Sequence, residues 1–279
     1  MIRDDLGPPM SLEEFRLLRD VIHGYCGIDF RDDARHLLQR RLIPRLEALA
    51  LPTFTDYHRF LLYDTDRRAE LERIVELVTT NETYFFREPN GLDAFRAEIL
   101  PEIFRRRRNR RLHVWSAGSS TGEEAYTAAI LIVETGLFVN WDVRVFGNDI
   151  SRRVLQVARA GAYGRASFRA TEERYLHRYF READGKHVVR DEIKALVSFG
   201  HINLLDDGML SVVSDVDVIF CRNVLMYFDI PARKRVVANF HKRLGKGGYL
   251  LLGHSESLLN LTTAFELVHL KSDMVYRKP

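Results

Sequence analysis

Apolar positions along the first 80 or so residues recur at helical spacing. Ser11 and Glu14 have the form of a capping box, and Phe15, Leu18 and Ile22 behind them share one helical face. Asp32 or Asp33 can cap a second helix whose apolar line runs Leu37, Leu38, Leu42. Its other face carries Arg35, Arg40, Arg41 and Arg45. Pro44 is expected to bend or interrupt this helix, because its ring clashes with the carbonyl one turn back. Residues 53–63 and 67–78 predict two further helices. Together these predict an all-α N-terminal domain over residues 1–80.

From Leu112 the pattern changes to strands alternating with helices. Residues 113–116, 143–147, 216–221 and 249–253 predict strands, and residues 122–134 and 152–160 predict helices between them. The run 216–221 is continuously apolar, as in a strand buried on both faces. Residues 186–203 predict extended segments after an Asp184-Gly185 turn, so a small antiparallel β-subdomain is expected around 183–198. Asp229 and Pro231 start a helix that runs to Leu244 and is stopped by Gly247-Gly248. Residues 265–270 and 274–277 predict a terminal hairpin. The second domain, residues 81–279, is therefore expected to be an α/β fold with a mostly parallel sheet and an antiparallel edge.

Composition narrows the function classes. The 279 residues are 46% hydrophobic and 29% charged, ordinary for a globular chain. Basic residues outnumber acidic ones by 42 − 39 = 3, a smaller excess than nucleic-acid binding usually needs, and no nucleic-acid partner is expected. The two cysteines, Cys26 and Cys221, form no disulfide framework or metal-ligand spacing; Cys221 reads as a buried small hydrophobe. The charged start Met1-Ile2-Arg3-Asp4-Asp5 lacks a signal peptide's apolar stretch. No window approaches a membrane span. These features predict a cytoplasmic protein with no membrane insertion and no metal.

The chemistry is expected where strands end. The first strand runs into Ser116-Ala117-Gly118-Ser119-Ser120-Thr121-Gly122-Glu123-Glu124, and small residues there let a ligand lie against the backbone. The next ends in Asn148-Asp149, whose carboxylate can accept from both hydroxyls of a ribose. This pattern also fits nicotinamide enzymes. It is not Gly-x-Gly-x-x-Gly, however, and Glu123-Glu124 occupy a helix start that a pyrophosphate would need free of acids. A positively charged sulfonium cofactor tolerates those acids. Asn203 and Asn223, each just past an apolar strand, read singly as turn or cap residues and together as ligand contacts.

Four segments carry a specific resemblance. They are Thr79-Thr80-Asn81-Glu82-Thr83-Tyr84-Phe85-Phe86-Arg87-Glu88, the stretch from Trp115 to Glu124, the stretch Phe220-Cys221-Arg222-Asn223-Val224-Leu225-Met226-Tyr227-Phe228-Asp229, and Gly253-His254-Ser255-Glu256-Ser257. The chain resembles, over nearly its whole length, the CheR family of chemotaxis receptor methyltransferases. The resemblance implies methyl transfer from S-adenosylmethionine to glutamate side chains of bacterial chemoreceptors, leaving S-adenosylhomocysteine. It implies a Rossmann-like methyltransferase sheet. It also implies cofactor contacts from Asn81, Thr83, Arg87, Glu124, Asp149, Asn203, Leu204, Arg222 and Asn223, with Arg87 and Tyr227 flanking the reacting centre. Glu124 rather than Glu123 occupies the family's acidic position. The chain departs from the family at Pro44 in the basic helix and in a short 184–192 connection, so independence from a receptor C-terminal tail is expected. The alternatives are a CheR-like module that binds cofactor or product without methylating receptors, and a methyltransferase acting on another protein.

A glutamate carboxylate, pKa about 4.3, is already the nucleophile at neutral pH, so no general base is required. Arg87 can fork either the substrate's or the cofactor's carboxylate. Tyr227 offers a phenol and a ring face beside a sulfonium. The arginine-rich run 105–111 reads as a solvated helix end, and His254 as a satisfied structural histidine rather than a ligand contact.

Overall fold

The computed structural model describes residues 7–279; the charged start Met1-Ile2-Arg3-Asp4-Asp5 lies outside the described residues. The chain divides into two compact units. One takes the residues up to Thr80 together with Tyr227–Asp229, and the other takes Asn81–Met226 and Ile230–Pro279.

The first unit is helical. Helix α1 (Leu12–Cys26) begins with the reciprocal Ser11–Glu14 box and ends on Gly27 at φ 73°, a left-handed cap. Phe15, Leu18, Ile22 and Cys26 are buried along it. Helix α2 (Arg35–Ala48) follows a 3-10 turn, Asp32–Ala34, and neither aspartate caps it. Asp32 instead reaches Arg16 and Arg19 on α1. The buried line of α2 is Leu38, Leu42, Leu46 at strict i, i+4 spacing, whereas Leu37 points outward. Pro44 does not interrupt the helix, which runs on to Ala48 with the proline on its exposed side. Helices α3 (Phe54–Tyr63, capped by Thr53) and α4 (Arg67–Val78) complete the unit.

Two of the four arginines expected on the outer face of α2 are used internally. Arg45 forks the buried carboxylate of Glu70 through Nε and Nη2, both at 2.7 Å, and the Tyr57 hydroxyl donates to the same group at 2.6 Å. Arg41 donates to the Val78 carbonyl at 2.6 Å. The short segment Tyr227–Asp229 joins this unit through the Asp29 amide, which donates to the Tyr227 carbonyl, and a bridge from Ile28 to Phe228.

The second unit opens with a helix in three phases: α5 (Pro89–Ala94), a π-helical turn (Phe95–Ile99) and α6 (Leu100–Arg106). Strands and helices then alternate: β1 (Arg111–Ala117), α7 (Glu123–Thr135), β2 (Asp142–Asp149) and α8 (Arg152–Ala160). After β3 (Ala162–Tyr163) and α9 (Glu173–Tyr179) come β4 (Phe180–Ala183), β5 (Lys186–Val189), α10 (Asp191–Lys194) and β6 (Val197–His201). The chain closes with β7 (Val216–Cys221), α11 (Ile230–Arg243), β8 (Leu244–Leu252), β9 (Glu266–His269) and β10 (Met274–Arg277).

The main sheet has the order β6-β2-β1-β7-β8-β10-β9, parallel from β6 to β8 and antiparallel at β10 and β9. Successive strands step outward from β1 to β2 and β6, and β7 then returns to the other side of β1. That reversal opens a crevice at the carboxyl ends of β1 and β7. No helix among the described residues is long and apolar enough to cross a membrane.

Two expectations about the second unit also differ from the structure. The small antiparallel sheet is β3-β5-β4, so it lies earlier than 183–198: residues 191–194 turn into a helix, and 197–201 leave for the main sheet. Its core is a cluster of Phe85, Tyr163, Phe168 and Phe180 rings about 5 Å apart, contacts between distant residues that no local pattern displays. Gly247-Gly248 does not stop α11, which ends at Arg243. Gly247, at φ 68°, sits within β8 where its register against β7 shifts, so the glycine serves a bulge.

Candidate active site

The turn after β1 is shaped by backbone demands. Gly118 has φ 76°, and a Cβ there would stand 2.5 Å from Cγ2 of Val224 on the loop after β7. Only glycine allows the two strand ends to approach this closely. The Ser119 amide donates to the Asn148 carbonyl at 2.7 Å, which joins the end of β1 to the end of β2. The Ser120 amide donates to one oxygen of Asp149, and the Ser151 amide to the other, each at 2.9 Å. Asp149 is buried between the two turns. Burial pushes its carboxyl above the usual range, and the amide donors pull it back only in part.

The acid pair at the start of α7 diverges, because successive residues point about 100° apart around a helix. Glu124 accepts from Ser116 Oγ at 2.8 Å and lies 3.5 Å from Arg222 Nη1. Burial raises its carboxyl, opposed by Arg222. Glu123 turns the other way, accepting from Thr121 at 2.6 Å and Ser167 at 3.0 Å. The crevice therefore receives Glu124 and not Glu123.

Arg222 is the hub of the β7 end. Besides Glu124 it donates to the Glu88 carboxylate at 3.2 Å and to the carbonyls of Arg87 and Glu88. Asn223, at φ 60°, donates through Nδ2 to Glu88 at 3.1 Å, while its buried Oδ1 has no partner among the described residues. Burial raises the Glu88 carboxyl, but Arg222, Asn223 and the His254 amide outweigh it and hold it below the usual range. Glu256 accepts from the amides of Asn223 at 2.8 Å, Gly253 at 2.9 Å and Met226 at 3.2 Å. Glu88 and Glu256 had no assigned role, although both stand inside the recognisable segments. Their signal was an acid next to positions that need buried donors satisfied.

The remaining residues fall out as follows. The Asn81 carbonyl accepts from Ser120 Oγ at 3.4 Å, and Thr83 is half-buried in the same segment. Arg87 donates to the Glu82 carbonyl at 2.7 Å and lies 5.8 Å from the Tyr84 ring centre. Asn203 and Leu204 follow β6 and are buried; Asn203 Oδ1 accepts from the Leu205 amide at 3.0 Å, the turn role its residue type suggested. The end of β6 is tied to Asp149 by the Ile202 amide at 3.1 Å. Tyr227 belongs to the helical unit and is not among the residues assembled within this one. His254 is exposed and, with Glu88, Gly91, Arg222 and Asp273, lines a cavity of about 300 Å³. Phe86, Glu88, Ser120 and Asn223 all adopt positive φ, a concentration of backbone strain around one crevice.

Glu88, Glu124 and Asp149 place carboxylates at the crevice against the single buried guanidinium of Arg222. Such a site favours a ligand that brings positive charge and hydroxyl donors. S-adenosylmethionine carries both, a sulfonium and an ammonium with the hydroxyls of a ribose, so the residues present fit it. Among the described residues no cluster of His, Cys, Asp and Glu could hold a metal.

Comparison with known proteins gives the same picture over both units. The domain family described as "CheR methyltransferase, SAM binding domain" matches residues 81–274, and "CheR methyltransferase, all-alpha domain" matches residues 13–79. The chain is 36% identical to "Chemotaxis protein methyltransferase" of Salmonella typhimurium, covering 92% of this chain and 88% of that one. It is 32% identical to "Chemotaxis protein methyltransferase 2" of Vibrio cholerae, covering 95% and 93%. Against "Chemotaxis protein methyltransferase" of Escherichia coli the identity is 34%, covering 92% and 89%.

Proposed function

The chain belongs to the CheR methyltransferase family, and from that premise we propose that it methylates glutamate side chains of bacterial chemoreceptors in chemotactic adaptation. It is an S-adenosylmethionine-dependent methyltransferase. The reading rests above all on one observation: a crevice of desolvated carboxylates, Glu124 and Asp149, in a chain that matches both domains of that family.

S-adenosylmethionine, when bound, supplies an electrophilic methyl group on a good leaving group. Asp149 is placed to accept from ribose hydroxyls, its other lone pairs being committed to Ser120 and Ser151. Glu124 and Arg222 hold opposite charges at the β1 and β7 ends and suit the ammonium and carboxylate of an amino acid. Asn203, Leu204, Asn81, Thr83 and Asn223 supply the surrounding wall. Arg87 gives one donor to Glu82 and retains others to fork a carboxylate. Tyr227 takes its proposed role, a phenol at the reacting centre, from its place in the matched motif that follows β7. The substrate carboxylate is already ionised, so these residues orient and desolvate; no proton has to be taken. Well-oriented pairs can gain up to about 7–11 kcal/mol from position alone.

Two finer points belong to the same proposal. The β4–β5 turn is only Asp184-Gly185, both at positive φ, a two-residue connection with no insertion to lengthen the small sheet. This supports an enzyme that works without a receptor-tail tether, and calorimetry with a receptor C-terminal peptide should show no submicromolar binding. A cytoplasmic location is supported by the free, buried cysteines Cys26 and Cys221. The deciding experiment incubates the protein with methyl-labelled cofactor and candidate receptors. Base-labile label is expected. Base-stable label would remove the glutamate ester and leave the methyltransferase.

A further inference from the structure

At the far end of the main sheet, where the parallel strands begin, the arginine-rich run 105–111 divides into two sets. Arg106 donates to the Gly247 carbonyl at 2.9 Å, Arg107 to the buried Asp217 at 2.6 Å, and Arg111 pairs with Asp215. These hold the start of the sheet together. Arg105, Arg108 and Arg110 are exposed, and their side chains have no hydrogen-bond or ion-pair partner among the described residues. The nearby acids are already engaged: Asp142 with Arg144, Asp215 with Arg111, and Glu102 with Arg277.

An apolar apex stands beside this charge. Phe104, at the surface of α6, stacks on Trp141 with ring centres 5.4 Å apart. Phe138 packs edge-on against the same indole at 4.9 Å. Val139, between them in the turn from α7 to β2, is 71% exposed. The Asp142 amide donates to the Arg110 carbonyl at 2.9 Å, so the aromatic turn and the arginine run are joined through the backbone. Phe138 and Trp141 also pack on the core of the sheet, whereas Val139 and Phe104 keep apolar surface exposed. An exposed valine over a half-buried tryptophan, with unpaired arginines alongside, resembles the make-up of a membrane-interface anchor.

We propose that this edge of the sheet docks on the surface of an anionic lipid bilayer. The cations would meet lipid phosphates while Val139 and the rim of the Phe104–Trp141 pair enter the headgroup layer. A nucleic acid is the poorer occupant, because Phe104 already stacks on Trp141 and takes a face that a base would need. Parallel strands place the crevice with Asp149 and Arg222 at their opposite ends, so docking here leaves the cofactor site uncovered.

The test is co-sedimentation of the full chain with vesicles of phosphatidylcholine, or of phosphatidylcholine with about a third phosphatidylglycerol, at low and at high salt. Binding is expected only to the anionic vesicles and should fall with salt. Each arginine should contribute roughly a factor of five, so changing Arg105, Arg108 and Arg110 to serine should weaken binding on the order of a hundredfold. Val139→Asp should weaken it about tenfold or more. Trp115 is fully buried, so a blue shift of tryptophan emission on binding would report Trp141. Unchanged affinity for S-adenosylhomocysteine would show that the variants fold. Failure to bind anionic vesicles at low salt, equal binding by the triple variant, or tighter binding of single-stranded RNA than of the anionic vesicles at the same salt would overturn the proposal.

Discussion

Each unit encloses a glutamate beside a guanidinium, Glu70 with its side chain 1% exposed and Glu124 with 14%, and the two are treated in opposite ways. Glu70 in the helical unit is fully answered: Arg45 forks it, Tyr57 donates to it, and Arg73 lies 3.3 Å away. Burial alone would raise its carboxyl, but these donors outweigh burial and hold it below the usual range. Glu124 in the α/β unit is under-answered, with one hydroxyl and one guanidinium at 3.5 Å that is shared with Glu88. Its carboxyl is pushed up, as is that of Asp149. A buried charge with every lone pair satisfied contributes to structure. A buried charge left short of donors is a place for a ligand to supply them.

The comparison is broken most severely by removing one partner. Glu70→Ala leaves the part-buried Arg45 and the buried Tyr57 hydroxyl without their carboxylate and should destabilise the helical unit by about 3 kcal/mol, read by chemical denaturation. Affinity for S-adenosylhomocysteine should be unaffected. Loss of cofactor affinity equal to that of an Asp149 variant would show that Glu70 is not merely structural.

Next in size is Arg87→Ala, which should lower turnover about a hundredfold to a thousandfold, the scale of one oriented charged donor. Tyr227→Phe keeps the ring and should cost less than about tenfold. Steady-state methylation of receptor separates the two, and equal small losses would contradict the roles proposed for them. Asp149→Asn comes third: it should weaken cofactor binding by about 1.5–3 kcal/mol and cost the free protein less than that, because losing a desolvated charge offsets in part the one amide donor, Ser120 or Ser151, that the new NH2 cannot accept from. A matching loss of stability would mean that the carboxylate is structural after all.

The smallest effects are in pH, and their signs differ between the units. Glu70 has a lowered carboxyl pKa in the folded state, so its stabilisation is present above its unfolded value and is lost as pH falls through the folded one. Glu124 and Asp149 have raised values, so the folded state holds more protons than the unfolded between those values. Their contribution favours the fold at lower pH and declines as pH rises through that window. Hydrogen exchange resolved by region should show the two trends. Cofactor binding should release protons in the same window, measured as a binding enthalpy that depends on the buffer.

Much of this was legible along the chain. The α1 box, the limits of α4, the uniform burial of β7 and the terminal hairpin follow from neighbours a few residues apart, which a local pattern records directly. Where the reading went astray, a distant contact overrode it. Leu37 belongs to the apolar line by residue type, yet the packed face of α2 is set by its neighbours. Gly247-Gly248 has the composition of a helix stop, yet strand pairing used it for a bulge.

The sequence by itself determined the family, the two-unit organisation, the cofactor and the candidate site residues, because long motifs and short-range periodicity are written in order along the chain. Only the tertiary structure decided which acid of Glu123-Glu124 enters the crevice, that Arg45 is a structural cation, and that Glu88 and Glu256 hold the ends of the site. It also decided that Arg105, Arg108 and Arg110 are left over once their neighbours are paired. The reason is physical: whether a charged side chain is satisfied depends on donors and acceptors brought from tens of residues away, and on how much water the packing leaves.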